Sequence, residues 1–144
     1  MGNEFPSQLS QSEIDPGLVL FLSPSYLEHV GAYCNAHWSD AAKGEHYFIC
    51  LDNEPKDSLW VPTSSKPRFD KHVLEPIDKD GHSCWKDKTS YCSVDEIWTI
   101  PNCLLDDCLF TDRTTIGHRN RVRAHALDAL RFDVSGTCAS SWSW

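Results

Sequence analysis

Three hydroxyl groups and an ammonium follow one another directly in this chain, at Thr63, Ser64, Ser65 and Lys66. Hydroxyls donate hydrogen bonds and a lysine supplies a point charge, so these residue types suit the binding of an anionic oxygen. The segment comes directly after Pro62, which we expect to end a strand. A polar loop that simply follows a proline is the other interpretation of the same residues, and at this stage both stay open.

Two histidines lie near this segment in the sequence and could exchange a proton with a ligand. His72 follows it in a long connection rich in Pro, Lys and Asp, and His82 follows the turn-forming pair Asp80-Gly81. An unperturbed imidazole titrates near neutral pH, so either side chain could act as a general acid or base. A single histidine is more often structural or simply exposed.

A cluster of arginines near the C-terminus is the second feature with chemical potential. Five of the six arginines lie between positions 113 and 131. We predict a last element from Thr114 to Phe132, in which the helix proper starts after Gly117. Arg119 and Arg123 would share a face of this helix because they are four residues apart. A guanidinium suits bidentate contacts with phosphate. A solvated helix face, or pairing with the acidic residues 106–107, explains the same arginines without a ligand.

The cysteines and histidines give little support for a metal site. Cys34 and His37, with His46 nearby, form one plausible ligand pair, whereas Cys103 and Cys108 are spaced more loosely than a common zinc knuckle. No second well-spaced pair completes a tetrahedral set. The chain also has no Walker loop, no G-x-S-x-G and no dinucleotide fingerprint. We therefore expect no metal and no other cofactor, and the chain does not read as an ATPase or an α/β-hydrolase.

Composition sets limits on partners and compartment. The chain has 144 residues, a net charge of −8 and seven cysteines. Its length predicts a single domain, 1–144, with a frayed segment 1–13 and a flexible tail 135–144. The acidic balance gives no global attraction to nucleic acid or to an anionic membrane, so a polyanion must bind at a local patch.

With no recognisable signal peptide at the N-terminus, we expect reduced thiols, a cytoplasmic location and no membrane contact. Cys50 is expected to be a core residue.

The hydrophobic pattern predicts the elements that must position these groups. Leu18–Leu22 is a continuous apolar run and should form a buried strand, and a short helix should run from Tyr26 to Tyr33. Residues 46–62 should form a hairpin, and a short strand should lie around Val73 and Leu74. With one or two further short strands, five or six in all, and the C-terminal helix, this predicts an α+β fold. The sheet should be small, antiparallel and strongly bent, or a partly open barrel.

The segment Pro62-Thr63-Ser64-Ser65-Lys66 also resembles part of a known family. In small endoribonuclease toxins of the MazF/PemK superfamily and their ToxN-like relatives, a buried strand leads into a similar segment that lines the RNA cleft. A second likeness is Gly81-His82 followed by Ser90-Tyr91, and together the likeness covers roughly residues 46–105. The early Gly-Asp-Val strand of that family is absent, and Arg68 does not align clearly with a catalytic arginine.

The resemblance implies an SH3-like barrel that cleaves single-stranded RNA without metal. The 2′-hydroxyl would attack the scissile phosphate to give a cyclic phosphate. The residues implied to do this chemistry are two hydroxyls, a lysine and two histidines: Thr63, Ser64, Lys66, His82 and His72. The residues implied to contact RNA are polar, cationic or aromatic: Ser65, Arg68, Trp60, Trp85, Arg119 and Arg123. The resemblance also implies a cognate antitoxin, protein or RNA, and leaves the oligomeric state open.

Two other functions fit the same sequence. One is a non-catalytic inhibitor or binding protein of phage or plasmid type, which acts by surface contact with a protein or nucleic acid. The other is a ribonuclease-like barrel that binds but no longer cleaves. A mimic of nucleic acid should carry a continuous acidic stripe, and this chain has only short acidic pairs beside its clustered arginines. The charge distribution therefore favours the ribonuclease.

Overall fold

The computed structural model describes Leu9 and residues 11–29, 31–35, 46–67, 72–105 and 119–138. Its strands are β1 (Leu18–Leu22), β2 (Tyr33–Cys34), β3 (His46–Asn53), β4 (Asp57–Ser64), β5 (His72–Leu74), β6 (Lys79–Asp80), β7 (Ser90–Cys92), β8 (Trp98–Pro101) and β9 (Asn120–Val122). Its helices are α1 (Pro24–His29), α2 (Ser83–Lys86) and α3 (Ala124–Cys138), with short 3-10 turns at Gln11–Glu13, Pro76–Asp78 and Asn102–Leu104. Within these residues no helix has the length and apolar character needed to cross a membrane.

The strands form one open antiparallel sheet. Its order is β2-β8-β4-β3-β1-β9-β6, and β7 and β5 continue from β4 as a branch. Every described pairing is antiparallel. The predicted α+β class, with an antiparallel sheet and a C-terminal helix, is confirmed. The sheet has more strands than the five or six that the hydrophobic pattern predicted, because several of them are only two or three residues long.

The sheet is buried on both faces, which explains its continuous apolar runs. In β1, Leu18, Leu20 and Leu22 pack into one hydrophobic cluster with Trp60, while Val19 points the other way into a second cluster. Successive side chains of a strand point to opposite faces, so a strand covered on both sides needs apolar residues at every position. The predicted buried strand Leu18–Leu22 and the predicted hairpin are therefore confirmed.

Strand β4 joins the two parts of the sheet. Residues Asp57 to Trp60 pair with β8, whereas Thr63 and Ser64 pair with β7. Pro62 lies between these stretches, and its carbonyl accepts a hydrogen bond from the Ser93 amide at 3.0 Å. A proline has no N–H to donate to a ladder, so it fits where one neighbouring strand ends and another begins. The prediction that Pro62 ends the strand is wrong, because β4 continues to Ser64.

Two predicted helices differ from those observed. Helix α1 begins earlier than predicted and ends at His29, and Tyr33 lies in a strand. The C-terminal helix begins only at Ala124, because the preceding residues form β9 beside β1 and β6. It buries Ala126, Leu127 and other apolar residues of one face against the sheet.

Both predicted irregular ends contain ordered structure where they are described. Leu9 is buried and Gln11–Glu13 form a 3-10 turn. Helix α3 continues to Cys138, so the first four residues of the predicted tail 135–144 are helical. Residues 1–8, 10 and 139–144 lie outside the described residues.

Candidate functional site

A pocket of about 170 Å³ lies between the end of the β3–β4 hairpin and the segment that joins α2 to β7. Its lining is mostly polar and includes five serine and threonine residues, Thr63, Ser64, Ser65, Thr89 and Ser90. Three of these were predicted from the sequence. The antiparallel pairing of Thr63 with Cys92 and of Ser64 with Tyr91 places the start of β7 beside the end of β4. Two hydroxyl-rich segments that are far apart in sequence therefore face each other.

The hydroxyls on the β4 side are held in different ways. Thr63 is only 4% exposed, and its hydroxyl donates to the Tyr47 carbonyl at 3.0 Å. The oxygen of Ser64 accepts the Lys66 amide at 3.1 Å, so its own O–H is left to donate elsewhere. Ser65 and Lys66 are exposed. The predicted phosphate donor Ser64 can therefore donate into the pocket, whereas the Thr63 hydroxyl already has an acceptor.

His46 is the imidazole of this pocket. It lies at the start of β3, half-buried, and its Nδ1 is 2.8 Å from the Thr63 carbonyl oxygen. A carbonyl only accepts, so Nδ1 carries a hydrogen, and in the neutral ring Nε2 is then the basic nitrogen. A general base needs this arrangement, in which one nitrogen is oriented by the protein and the other can take a proton.

The opposite wall comes from residues after α2. The Thr89 hydroxyl donates to Glu75 Oε1 at 2.7 Å, and the Ser90 oxygen accepts from Lys79 Nζ at 2.7 Å. Lys88 is exposed, lines the pocket, and forms no ion pair with the described residues. Cys84 adds an exposed thiol to the same wall. This wall brings a cation to a pocket whose β4 side supplies mainly hydroxyls.

The aromatic residues of the pocket differ from those expected. Phe21 and Tyr47 line it, with ring centroids 4.8 Å apart. Trp60 and Trp85, predicted to stack on an RNA base, are 0% and 1% exposed. Their indole N–H groups bond to Ser58 Oγ and to the Arg121 carbonyl. That prediction is wrong for both tryptophans, because their rings pack in the core and present no face to a ligand.

The two predicted histidines and the predicted lysine lie outside the pocket lining. The amide of His82 donates to Asn120 Oδ1 at 2.8 Å, and His82 directly precedes helix α2. His72 lies on β5, where its Nδ1 pairs with Asp133 of α3. Lys66 is exposed beyond the end of β4, and its amide bonds to Ser64. The structure therefore brings Thr63, Ser64 and Ser65 together but not these three cationic or titratable groups.

The predicted arginine surface is a row of internal ion pairs. Arg119 bonds to both carboxylate oxygens of Glu13, at 3.0 and 3.3 Å, and its side chain is 5% exposed. Arg121 pairs with Asp15, and Arg123 pairs with Asp80 at 2.9 Å. The prediction that Arg119 and Arg123 share a helical face is wrong. Neither residue lies in a helix, because Arg119 directly precedes strand β9 and Arg123 directly follows it. Arg68 lies outside the described residues.

Sequence reasoning missed His46, Lys88, Thr89 and Ser90 as pocket residues. His46 stood at the start of an apolar run, and Lys88 and Thr89 stood in a polar turn, so neither pattern marked a site. The pairing of β4 with β7 brings Lys88, Thr89 and Ser90 to the end of β4, and this pairing has no local signal. A hydroxyl-rich strand end and a second Thr-Ser pair at positions 89–90 were the only hint.

The described cysteines include the buried thiol of Cys50. Burial raises the pKa of the Cys50 thiol to about 12, so its predicted role as a core residue is confirmed. Among the described residues, no group of three or more His, Cys, Asp or Glu is placed to hold a metal ion. His37 and Cys108 lie outside those residues.

No protein-family model, no curated protein and no solved structure matches this chain.

Proposed function

We propose that this protein is an endoribonuclease that cleaves single-stranded RNA at the pocket beside β4, without a metal ion. The observation that carries this proposal is His46, whose Nδ1 is fixed by the Thr63 carbonyl in a pocket that also holds the Ser64 hydroxyl and the Lys88 ammonium. Cleavage by an internal 2′-hydroxyl needs a base, a donor to the phosphate oxygens and a positive charge. His46, Ser64 and Lys88 supply these three groups.

The step divides among these side chains as follows. His46 Nε2 takes the proton of the 2′-hydroxyl, and the 2′-oxygen forms a bond to phosphorus. The bond from phosphorus to the 5′-oxygen breaks, which leaves a 2′,3′-cyclic phosphate. The Lys88 ammonium gives a proton to the leaving oxygen, and the Ser64 hydroxyl donates to a non-bridging oxygen, where charge develops. His46 takes one proton and Lys88 gives one, so the step leaves the total number of protons on these two side chains unchanged.

The aromatic wall favours an unpaired nucleotide as ligand. Phe21 and Tyr47 are half-buried and line the same pocket. An aromatic ring at such a place stacks on a base that is splayed out of a helix, which is how single-stranded RNA is usually recognised. Lys66, exposed one residue beyond Ser65, is then close enough along the chain to contact the phosphate of a neighbouring nucleotide.

The proposal extends to what the family resemblance implies. We infer that the change of partner strands along β4 is the bend of an SH3-like barrel. We also infer that the protein acts in the cytoplasm and that a cognate antitoxin, protein or RNA, neutralises it. The net charge of −8 requires that RNA be held by the local groups of the pocket rather than by the whole surface.

The test is inducible expression in bacteria of the wild type and of His46→Gln, with total RNA examined on a gel soon after induction. His29→Gln is the matched control, since His29 is exposed on α1, outside the pocket lining. Growth arrest and new RNA fragments with the wild type and the control, but not with His46→Gln, is the expected result. Purified protein should give cyclic-phosphate ends in the presence of a chelator. RNA left intact by the wild type in both assays would refute the proposal.

Exposed apolar side chains favour a second candidate function, binding to a partner protein by surface contact. Ile77 is 77% exposed and Phe132 is 80% exposed. The segment of Ile77 is tied to helix α3, which carries Phe132, because Asp78 bonds to His125 of that helix. If the wild type cleaves no RNA, we expect Ile77→Lys and Phe132→Lys to abolish capture of the partner. Binding that survives both changes would exclude this surface.

A further inference from the structure

One ionised side chain of the core has no part in the proposed reaction. Lys79 of β6 is 0% exposed, and it lies opposite Val122 in the sheet. Its ammonium lies 4.0 Å from the centre of the Trp85 ring. It donates to the Trp85 carbonyl at 3.0 Å, to the Ser90 hydroxyl at 2.7 Å and to the Lys88 carbonyl. A buried charge needs such a complete set of partners, since each N–H without an acceptor would cost free energy.

All three acceptors belong to one segment of the chain. Residues 84–90 contain them, and the same residues provide Cys84, Lys88, Thr89 and Ser90 to the pocket. The segment consists of the short helix α2 and a turn, so it has few backbone hydrogen bonds of its own that would fix its shape. The three bonds from Lys79 tie the end of α2, the turn and the start of β7 to a single point.

We propose that Lys79 is the positioning residue of this pocket wall: its ammonium holds residues 84–90 in the conformation that presents Lys88 and Thr89 to a ligand. The role of the wall in RNA cleavage rests on the proposed function, whereas the positioning itself does not. An ammonium has three N–H bonds for three oxygens. A neutral amine keeps two N–H bonds and gains a lone pair, so when the proton leaves, the bond to the Ser90 hydroxyl must reverse its direction or break.

The wall should therefore respond to pH. Burial lowers the pKa of Lys79 from 10.5 to about 8, and the nearby Cys92, Glu75 and Asp78 act in the opposite direction. The other charged groups of residues 84–90 are Lys86, Asp87 and Lys88, and His125 of α3 bonds to Asp78. Above about pH 8 the amine loses its charge, so its bonds to the two carbonyls weaken and its bond to Ser90 reverses or breaks, while the β4 side of the pocket, to which Lys79 donates no hydrogen bond, keeps its shape.

The experiment follows the methyl signals of two pocket threonines by NMR from about pH 7 to about pH 10. Thr89 reports on the wall, and Thr63 reports on the β4 side as an internal control. The measurement uses a Cys84→Ser background, which removes the exposed thiol of the same wall. We expect the Thr89 signal to move with a midpoint near pH 8, the Thr63 signal to stay in place, and the movement to vanish in Lys79→Arg, whose guanidinium keeps its charge.

A Thr89 signal that does not move, or that moves equally in Lys79→Arg, would overturn the proposal. If Lys79→Arg fails to fold, the Cε signal of Lys79 is followed over the same pH range in the protein that keeps this lysine. A midpoint for Lys79 that differs from the midpoint for Thr89 would then overturn the proposal. None of these measurements needs RNA. In an active enzyme the same transition should lower kcat for RNA cleavage above pH 8, because the wall carries the proposed proton donor Lys88, so failure of the proposed function and failure of the positioning role give different results.

Discussion

Two regions of this protein concentrate polar and charged side chains, strand β9 and the pocket beside β4, and they differ in where their hydrogen bonds end. Arg119, Arg121 and Arg123 each bond to a carboxylate of the same chain. In the pocket, by contrast, Ser64 keeps an O–H to donate, and Lys88 has no ion pair with the described residues. Charge density in the sequence pointed to the arginines. Whether a group is already satisfied inside the molecule separates a ligand site from a structural one.

The largest effect should come from the pocket, at His46. Changing His46 to Gln removes the basic nitrogen, and we expect RNA cleavage to fall roughly 10²- to 10⁴-fold, the usual contribution of a general base. Thermal stability should change little, because His46 is only half-buried. Single-turnover cleavage and a thermal melt measure the two quantities. Cleavage that is unchanged in His46→Gln would remove this residue from the mechanism.

The second prediction concerns Gly81, next to the hydrogen bond from the His82 amide to Asn120 that connects the start of α2 to β9. Gly81 has φ +129°, and a Cβ there would lie 2.2 Å from Asn120 Oδ1 and 2.7 Å from its Cα. Gly81→Ala should therefore cost about 3 kcal/mol of unfolding free energy, through strain and through loss of the bond from the His82 amide to Asn120. Urea denaturation measures this cost. Gly31→Ala is a control, since it also has positive φ but its Cβ would meet nothing within 4 Å.

Stability should also depend on pH through Lys79. Its folded pKa of about 8 lies below its ordinary value of 10.5, so the folded protein binds fewer protons than the unfolded chain between these values. Burial of the charge therefore costs stability in full below pH 8. This cost is relieved as pH rises from 8 towards 10.5, by on the order of 3 kcal/mol. Urea titrations of the wild type and of Lys79→Met, which lacks this ionisation, should diverge over that range. Parallel curves would contradict the shift.

Smaller effects should separate the two arginines first predicted to bind RNA. Arg119→Ala removes a nearly buried partner of Glu13, so we expect a loss of about 2 kcal/mol in unfolding free energy. Arg123→Ala removes an exposed pair and should cost less than about 1 kcal/mol. Neither variant should change RNA affinity. A filter-binding assay that showed weaker RNA binding in both would move the RNA surface to β9 and reverse the comparison.

The smallest effect should be at Lys66. Because it is exposed outside the pocket lining, Lys66→Ala should raise KM about tenfold or less, leave kcat unchanged, and reduce the salt dependence of binding by about one counterion. Lys56→Ala, in the exposed turn between β3 and β4, is the matched control. A complete loss of kcat in Lys66→Ala would place this lysine at the scissile phosphate instead of Lys88.

The sequence predicted those parts of the fold that depend on local pattern. Strand β1 and the β3–β4 hairpin were readable because apolar runs and turn residues are neighbours in the chain. The alternation of arginines at 119, 121 and 123 has a period of two, which is typical of a strand, but the helical spacing of Arg119 and Arg123 was given more weight. In the candidate site, the hydroxyls at 63–65 were found. Lys88 was missed because it reaches the pocket only through the pairing of β4 with β7, and His46 was missed because it stands at the start of an apolar run, which does not mark a site.

The pairing of β1 with β9 has a consequence for how the chain folds. Leu18 lies opposite Arg121, so these strands must close a loop of about a hundred residues before they gain any contact. The β3–β4 hairpin closes within a few residues. A sheet that depends on so distant a pairing belongs with the slower two-state folders, which take milliseconds to seconds. During synthesis the residues of the pocket leave the ribosome before β9, so the edge of β1 stays open until the last part of the chain arrives.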